Sequence, residues 1–312
     1  MRKLLNFLKA HLRKDFHPGL YLTISIFLAI TISANYYFDI ENTVIDAYRG
    51  REIRILWYFL LYSFAYYFTV LTQAFFSPQG NSVLRQPRFW VLSLAGMGML
   101  GVDGAFHYHQ WVAEHYIPVE AQYYAMQCLS QLNSLFTILL PCALLYWLYD
   151  RPENFYGMTT HQVDWRPYGG MLLVMMPLIT WASFQPDFLS SYPSYHVSSA
   201  DRYLPSPPWL NALGFELAYG WDFVATELLF RGFLVIGMVN VLGSKAVLPM
   251  AVTYAFLHFG KPVGETIGSI FGGYILGVIA LYTRNIWGGV AIHLGIAWLM
   301  ELAAFIQIEF RS

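Results

Sequence analysis

The chain has 312 residues, of which 57% are hydrophobic, 18% aromatic and only 12% charged, and its net charge is -1. A soluble domain carries about a quarter of its residues as charges, so this composition excludes an ordinary water-soluble globule and indicates several membrane-crossing segments. The near-zero net charge excludes the basic field that nucleic-acid binding requires.

Residues 1–17 set Arg2, Lys3, Lys9, Arg13 and Lys14 among Leu and Phe. No small-residue cleavage site follows, so the stretch reads as an interfacial amphipathic helix leading into the first span rather than a signal peptide. Apolar segments then recur at about 20–38, 54–76, 89–106, 122–148, 169–183, 210–240, 246–259, 264–282 and 287–308. The expected fold is all-α, a polytopic transmembrane helical bundle of eight or nine spans. Two segments, 169–183 and 246–259, fall short of the roughly 20 residues a span needs, and 210–240 exceeds it.

With the N-terminus in the cytoplasm, eleven Lys and Arg fall on inside segments and six on outside loops, with Arg231 inside a span. That bias sets an N-in orientation. The basic first helix suits anionic lipid, so a bacterial inner membrane is the expected location and membrane lipid an expected partner.

Cys128 and Cys142 lie in one expected helix, about 21 Å apart at ~1.5 Å per residue, too far to bridge. The loop after the third span holds His107 and His109, with Asp103 just before it. These three form a candidate metal site, although two His at i, i+2 are poor ligand spacing, and an interfacial aromatic belt with solvated imidazoles is the plainer account of them.

Pro186, Pro193, Pro205, Pro207 and Pro208 punctuate residues 184–209, and no long helix tolerates that run. The chain therefore divides into an N-terminal membrane region, 1–183, a Pro/Ser-rich loop, 184–209, and a C-terminal core, 210–312. In the core, Gly264, Gly268 and Gly272, together with Gly273, Gly277, Gly288 and Gly289, are small residues expected to let helices approach closely.

Among the ionisable side chains of the apolar core segments, Glu227 and Arg231, then His258, then His293 make a candidate constellation on three spans. Ionisable groups at membrane depth persist where they pair, face a cavity or do chemistry. Glu227 and Arg231 are four apart and share a helix face. Counting from the segment ends at ~1.5 Å per residue brings Glu227, His258 and His293 to the middle of a ~30 Å core. A carboxylate and two imidazoles meeting there can activate water and stabilise an oxyanion. A buried structural ion pair and helix-bridging histidines are the plainer alternative.

The order Glu-Leu-Leu-Phe-Arg-Gly at 227–232, an aromatic-rich helix ending in His258, a Gly-rich helix, and a final helix with central His293 resembles the CAAX-protease and bacteriocin-processing (CPBP, or Abi) family of intramembrane proteases, over about 205–308. The resemblance implies a membrane endopeptidase acting on a membrane-associated peptide or protein. Carried over residue by residue, it implies a water-activating Glu at position 226, where this chain has Thr226 beside Glu227, with Arg231 following. It implies Phe four positions before the second-motif His, where this chain has Tyr254 before His258, and a polar residue at 297, where this chain has Ala297 after His293.

Thr226 is no base at an ordinary hydroxyl pKa, and Ala297 offers no donor. Glu227 itself, or Asp222 one turn before Thr226, can supply the missing carboxylate. Glu301, two turns beyond His293, is a more distant substitute. Under this reading Glu227 or Asp222 polarises a water with His258, His293 stabilises the oxyanion, and Arg231 keeps Glu227 ionised. If a metal takes part, zinc on Glu227, His258 and His293 is the arrangement to test, although the chain has no HExxH pair. Two further readings stay open: a non-catalytic scaffold of the same family, and a proton-coupled transporter using Asp222, Glu227 and the histidines as a relay.

Overall fold

The computed structural model describes residues 2–77, 80–151, 153–159, 163–185, 187–195 and 200–311. Pro186 of the expected linker lies outside them. Among the described residues every regular element is a helix. We number the longer ones α1 (Arg2–Asp15), α2 (Pro18–Phe38), α3 (Ile53–Phe75), α4 (Pro87–Ala105), α5 (Tyr108–Tyr116), α6 (Val119–Asp150), α7 (Arg166–Ala182), α8 (Pro208–Glu227), α9 (Val247–Leu257), α10 (Val263–Thr283) and α11 (Trp287–Arg311).

Proline sets several starts. Pro18, Pro87 and Pro208 open α2, α4 and α8, where the missing N–H costs nothing because no carbonyl awaits it. Their apolar positions are not confined to one stripe. Leu22, Ile26 and Ile30 of α2, for example, are exposed, as expected of surfaces facing hydrocarbon rather than water.

Among the described residues six helices are long and apolar enough to cross a membrane, or seven if the bent pair α4 and α5 is one span. The expected eight or nine sits slightly above that number. The difference lies in α7, which is short, and in Pro208–Leu257, a single 50-residue apolar run by composition. A straight 50-residue helix would measure about 75 Å. Instead Phe230 and Arg231 stack on Tyr254, so the run folds back on itself. The turn falls at Gly243, with φ 60° and ψ -140°, a region side-chain-bearing residues avoid.

The returning leg, α9, is the centre of the molecule. Every residue from Val247 to Phe256 is buried, and a helix that is apolar all round belongs inside. It packs on α3, α10 and the helical continuation of α8. That continuation, Leu228–Gly237, widens to a π-helix with all ten residues buried.

The glycine expectation divides. Gly273 fits against Tyr254 and Ala251, and Gly277 against Met250 and Val247. Gly264, Gly268 and Gly272 face open space and pack on nothing, because only one side of α10 meets α9. The amphipathic α1 lies along α10, with Phe7 stacked on Tyr282 at 5.1 Å. One hydrophobic core runs from Leu20 to Val290 and includes both sides of the Pro-rich loop. Cys128 and Cys142 are free.

Candidate active site

The site begins where α8 turns π-helical. Glu227 and Arg231 are both buried, and Arg231 Nη1 lies 2.9 Å from Glu227 Oε1. An isolated charge so deep in an apolar interior costs several kcal/mol, so the pair neutralises itself first. The Tyr254 ring then covers the guanidinium, its centroid 4.3 Å from Arg231 Cζ, a desolvated cation–π contact. Glu227 Oε2 has no hydrogen-bond partner. It lies against Gly289, where a Cβ would collide with it. The α11 glycine therefore makes room for this carboxylate, a purpose the sequence did not disclose.

His293 of α11 reaches the same carboxylate, its Nδ1 3.2 Å from Glu227 Oε1. Its Nε2 is 3.1 Å from the Tyr254 hydroxyl. With both ring nitrogens engaged, the neutral tautomer that fits has Nδ1–H donating to the carboxylate and Nε2 accepting from tyrosine. Phe223 packs on the ring face at 4.5 Å. Tyr254 is thus the hub of the site. The hydroxyl that distinguishes it from the Phe of the resembled family binds His293, and its ring touches Arg231 and His258.

His258 caps the C-terminus of α9. Its Nδ1 is 2.9 Å from the Tyr254 carbonyl, so the proton sits on Nδ1 and the lone pair on Nε2. The turn that carries it is clamped both from within the C-terminal core and from α2. Thr266 of α10 donates to the His258 carbonyl. Asn35 Nδ2 donates to the Phe259 carbonyl at 3.1 Å, and the Tyr36 hydroxyl donates to the Lys261 carbonyl at 2.5 Å. Sequence reasoning missed these positioning residues. A buried Asn in α2 was the one available signal.

The structure therefore brings Glu227, Arg231, His293 and His258 together around Tyr254. Asp222 has other company: it hydrogen-bonds Ser134 of α6 and lies near Asp103 of α4, while Asp103 accepts from Thr137. Glu301 is buried and accepts from the Ser194 backbone N–H with both oxygens, at 2.8 and 3.0 Å, so it anchors the Pro-rich loop. Thr226 is half-buried and Ala297 buried beside the site helices.

Among the described residues no group of three or more His, Cys, Asp or Glu side chains is placed to hold a metal ion. The zinc arrangement on Glu227, His258 and His293 does not fit this geometry. A guanidinium already sits on the carboxylate and both His293 nitrogens are taken. His107 and His109 do not converge with Asp103 either, since His109 Nδ1 meets Asn133 at 3.0 Å and His107 Nδ1 lies near the Ala105 carbonyl.

Residues 195–299, about a third of the chain, match the family model described as type II CAAX prenyl endopeptidase Rce1-like. The matched segment contains Glu227, Arg231, Tyr254, His258 and His293, and it agrees with the CPBP resemblance. No curated protein and no solved structure matches the chain.

Proposed function

We propose that this chain, an integral membrane protein whose residues 195–299 match the type II CAAX prenyl endopeptidase family, is an intramembrane endopeptidase that hydrolyses a peptide bond with a water activated at His258. The observation that carries this reading is the buried chain of contacts Arg231–Glu227–His293–Tyr254, ending beside His258, which draws three helices to one point. His258 Nε2, its lone pair held out by the Nδ1 bond, takes a proton from water as the oxygen adds to the substrate carbonyl. The resulting oxyanion takes a hydrogen bond from the Tyr254 hydroxyl, which turns to it from His293 Nε2. His258 then returns the proton to the departing nitrogen. Glu227, kept ionised by Arg231, orients His293.

Tyr254 answers one departure from the family motifs, its hydroxyl supplying the donor that Ala297 lacks. His258 answers the other by serving as base where Thr226 cannot. Asp222 is held by Ser134 and is assigned no step. The N-terminus is cytoplasmic, as the Lys and Arg distribution supports, and a bacterial inner membrane is the proposed location.

The test compares protein termini in membranes from cells expressing wild type or Glu227→Gln at equal levels, followed by cleavage of any candidate with purified protein. Cleavage by wild type alone is the expected result. Equal cleavage by both removes Glu227 from the mechanism.

A second reading, a non-catalytic scaffold, is favoured by Thr226 and Ala297 at the motif positions. Activity that arises only when Thr226→Glu is introduced would identify the natural chain as that scaffold.

A further inference from the structure

At the α1 end of the bundle two cavities meet. One, of about 190 Å³, is polar, and His11, Lys14, His17, Gln73, Ser77 and Lys245 lie on its wall. The other, of about 740 Å³, is an apolar groove open to the bundle surface between α2 and α10, floored by α9. Tyr21 and Leu248 line both, so the groove adjoins the polar pocket. It follows α2 from Tyr21 to Tyr36, about 22 Å at ~1.5 Å per residue, longer than the ~15 Å hydrocarbon of one leaflet.

The polar pocket has unmet hydrogen-bonding capacity. Gln73 is 7% exposed, and its amide nitrogen donates to the Lys245 carbonyl at 3.0 Å, while its Oε1 has no partner. His11 is 2% exposed, and its Nδ1 has no hydrogen-bond partner, Asp15 standing off at 3.5 Å. Lys245 Nζ meets the Ser77 hydroxyl at 2.6 Å. Burial holds the His11 pKa below its usual value, despite Asp15. The fixed charges around the pocket are then Lys14 and Lys245 against Asp15, one net positive charge facing an apolar slot. That arrangement complements an anionic phosphodiester on hydrocarbon tails, and basic pockets at membrane level are sites for such headgroups.

We propose that pocket and groove together form a site for one anionic phospholipid, its phosphate against Lys14 and Lys245, a headgroup hydroxyl on Gln73 Oε1, and its tails between α2 and α10. Tyr36, at the far end of the groove, also holds the Lys261 carbonyl beside His258, so the tails would point along the groove toward the turn that carries this histidine. The site stands on its own residues and does not depend on the proteolytic reading.

Native mass spectrometry of the detergent-purified full chain, titrated with phosphatidylglycerol, phosphatidylcholine or inorganic phosphate, tests it. One phosphatidylglycerol retained in preference to phosphatidylcholine is expected. Lys14→Glu and Lys245→Ser should each weaken retention by roughly 5-fold. Ala29→Trp, on the exposed groove wall and remote from the lysines, should also displace the lipid. Inorganic phosphate should not compete. Equal retention of both lipids, or retention unchanged by all three substitutions, overturns the proposal. Competition by phosphate together with indifference to Ala29→Trp overturns it in favour of a plain anion site. Lys14 and Ala29 are exposed, so those two variants report on binding without disturbing the fold.

Discussion

Tyr254 shows how much one hydroxyl changes in a buried site. Its ring would serve Arg231 equally well as phenylalanine, but its oxygen closes the path to His293. Tyr254→Phe is therefore expected to leave the fold within about 1 kcal/mol of wild type and to lower kcat by about 100-fold, the usual cost of losing one oxyanion donor. Adding Ala297→Asn to that variant should restore part of the lost rate. A Tyr254→Phe enzyme as fast as wild type would take the hydroxyl out of the chemistry. The ion pair behaves differently. Arg231→Met strands the Glu227 charge at 0% exposure, and breaking a buried pair from one side costs about 3–5 kcal/mol. A thermal-stability assay should show that loss, whereas Glu227→Gln, which nearly preserves shape, should lose cleavage with a smaller change in melting.

Elements place these residues by turning and clamping. The fold-back at Gly243 lays α9 against the π-helical leg and so brings Tyr254 over Arg231. No atom lies within 4 Å of the position a Cβ would take there, so Gly243→Ala isolates the backbone cost, about 1–3 kcal/mol, readable as a lowered denaturation midpoint with cleavage retained below it. The Pro-rich loop is fastened over α11 and α10 by Glu301 to the Ser194 N–H and by the Tyr192 hydroxyl to Glu265 at 2.9 Å. Glu301→Ala leaves that N–H without its acceptor and should raise hydrogen exchange across 187–195. Unchanged exchange would mean that other contacts hold the loop. Pro193, Pro205, Pro207 and Pro208 marked this loop in the sequence. Its fastening depends on residues 73 and 107 positions away and left no local signature.

At the scale of the molecule, the N-terminal helices are part of the site. α3 packs on α9, and Asn35 and Tyr36 of α2 hold the turn after His258. Residues 195–299 therefore have the proposed catalytic side chains but not all of their support. The bundle's orientation is open to direct measurement. With α1 in the cytoplasm, Lys9→Cys should resist a membrane-impermeant maleimide in intact cells, while Glu114→Cys, on the exposed side of α5, should label. The reverse pattern would invert the bundle.

The sequence by itself determined the all-helical membrane class, because a long apolar run with few charges can satisfy its backbone in lipid only as helix. It also singled out Glu227, Arg231, His258 and His293, because ionisable groups are costly at that depth and stand out against apolar neighbours. Tertiary structure alone decided that Asp222 pairs with Ser134 rather than joining Glu227, that Gly289 rather than the Gly264–Gly268–Gly272 stripe makes room at the site, and that Tyr254 joins the two motif histidines. These are contacts between helices far apart in the chain. Helical periodicity states which side a residue faces but not which neighbour it meets, and that neighbour is chosen only when the bundle packs.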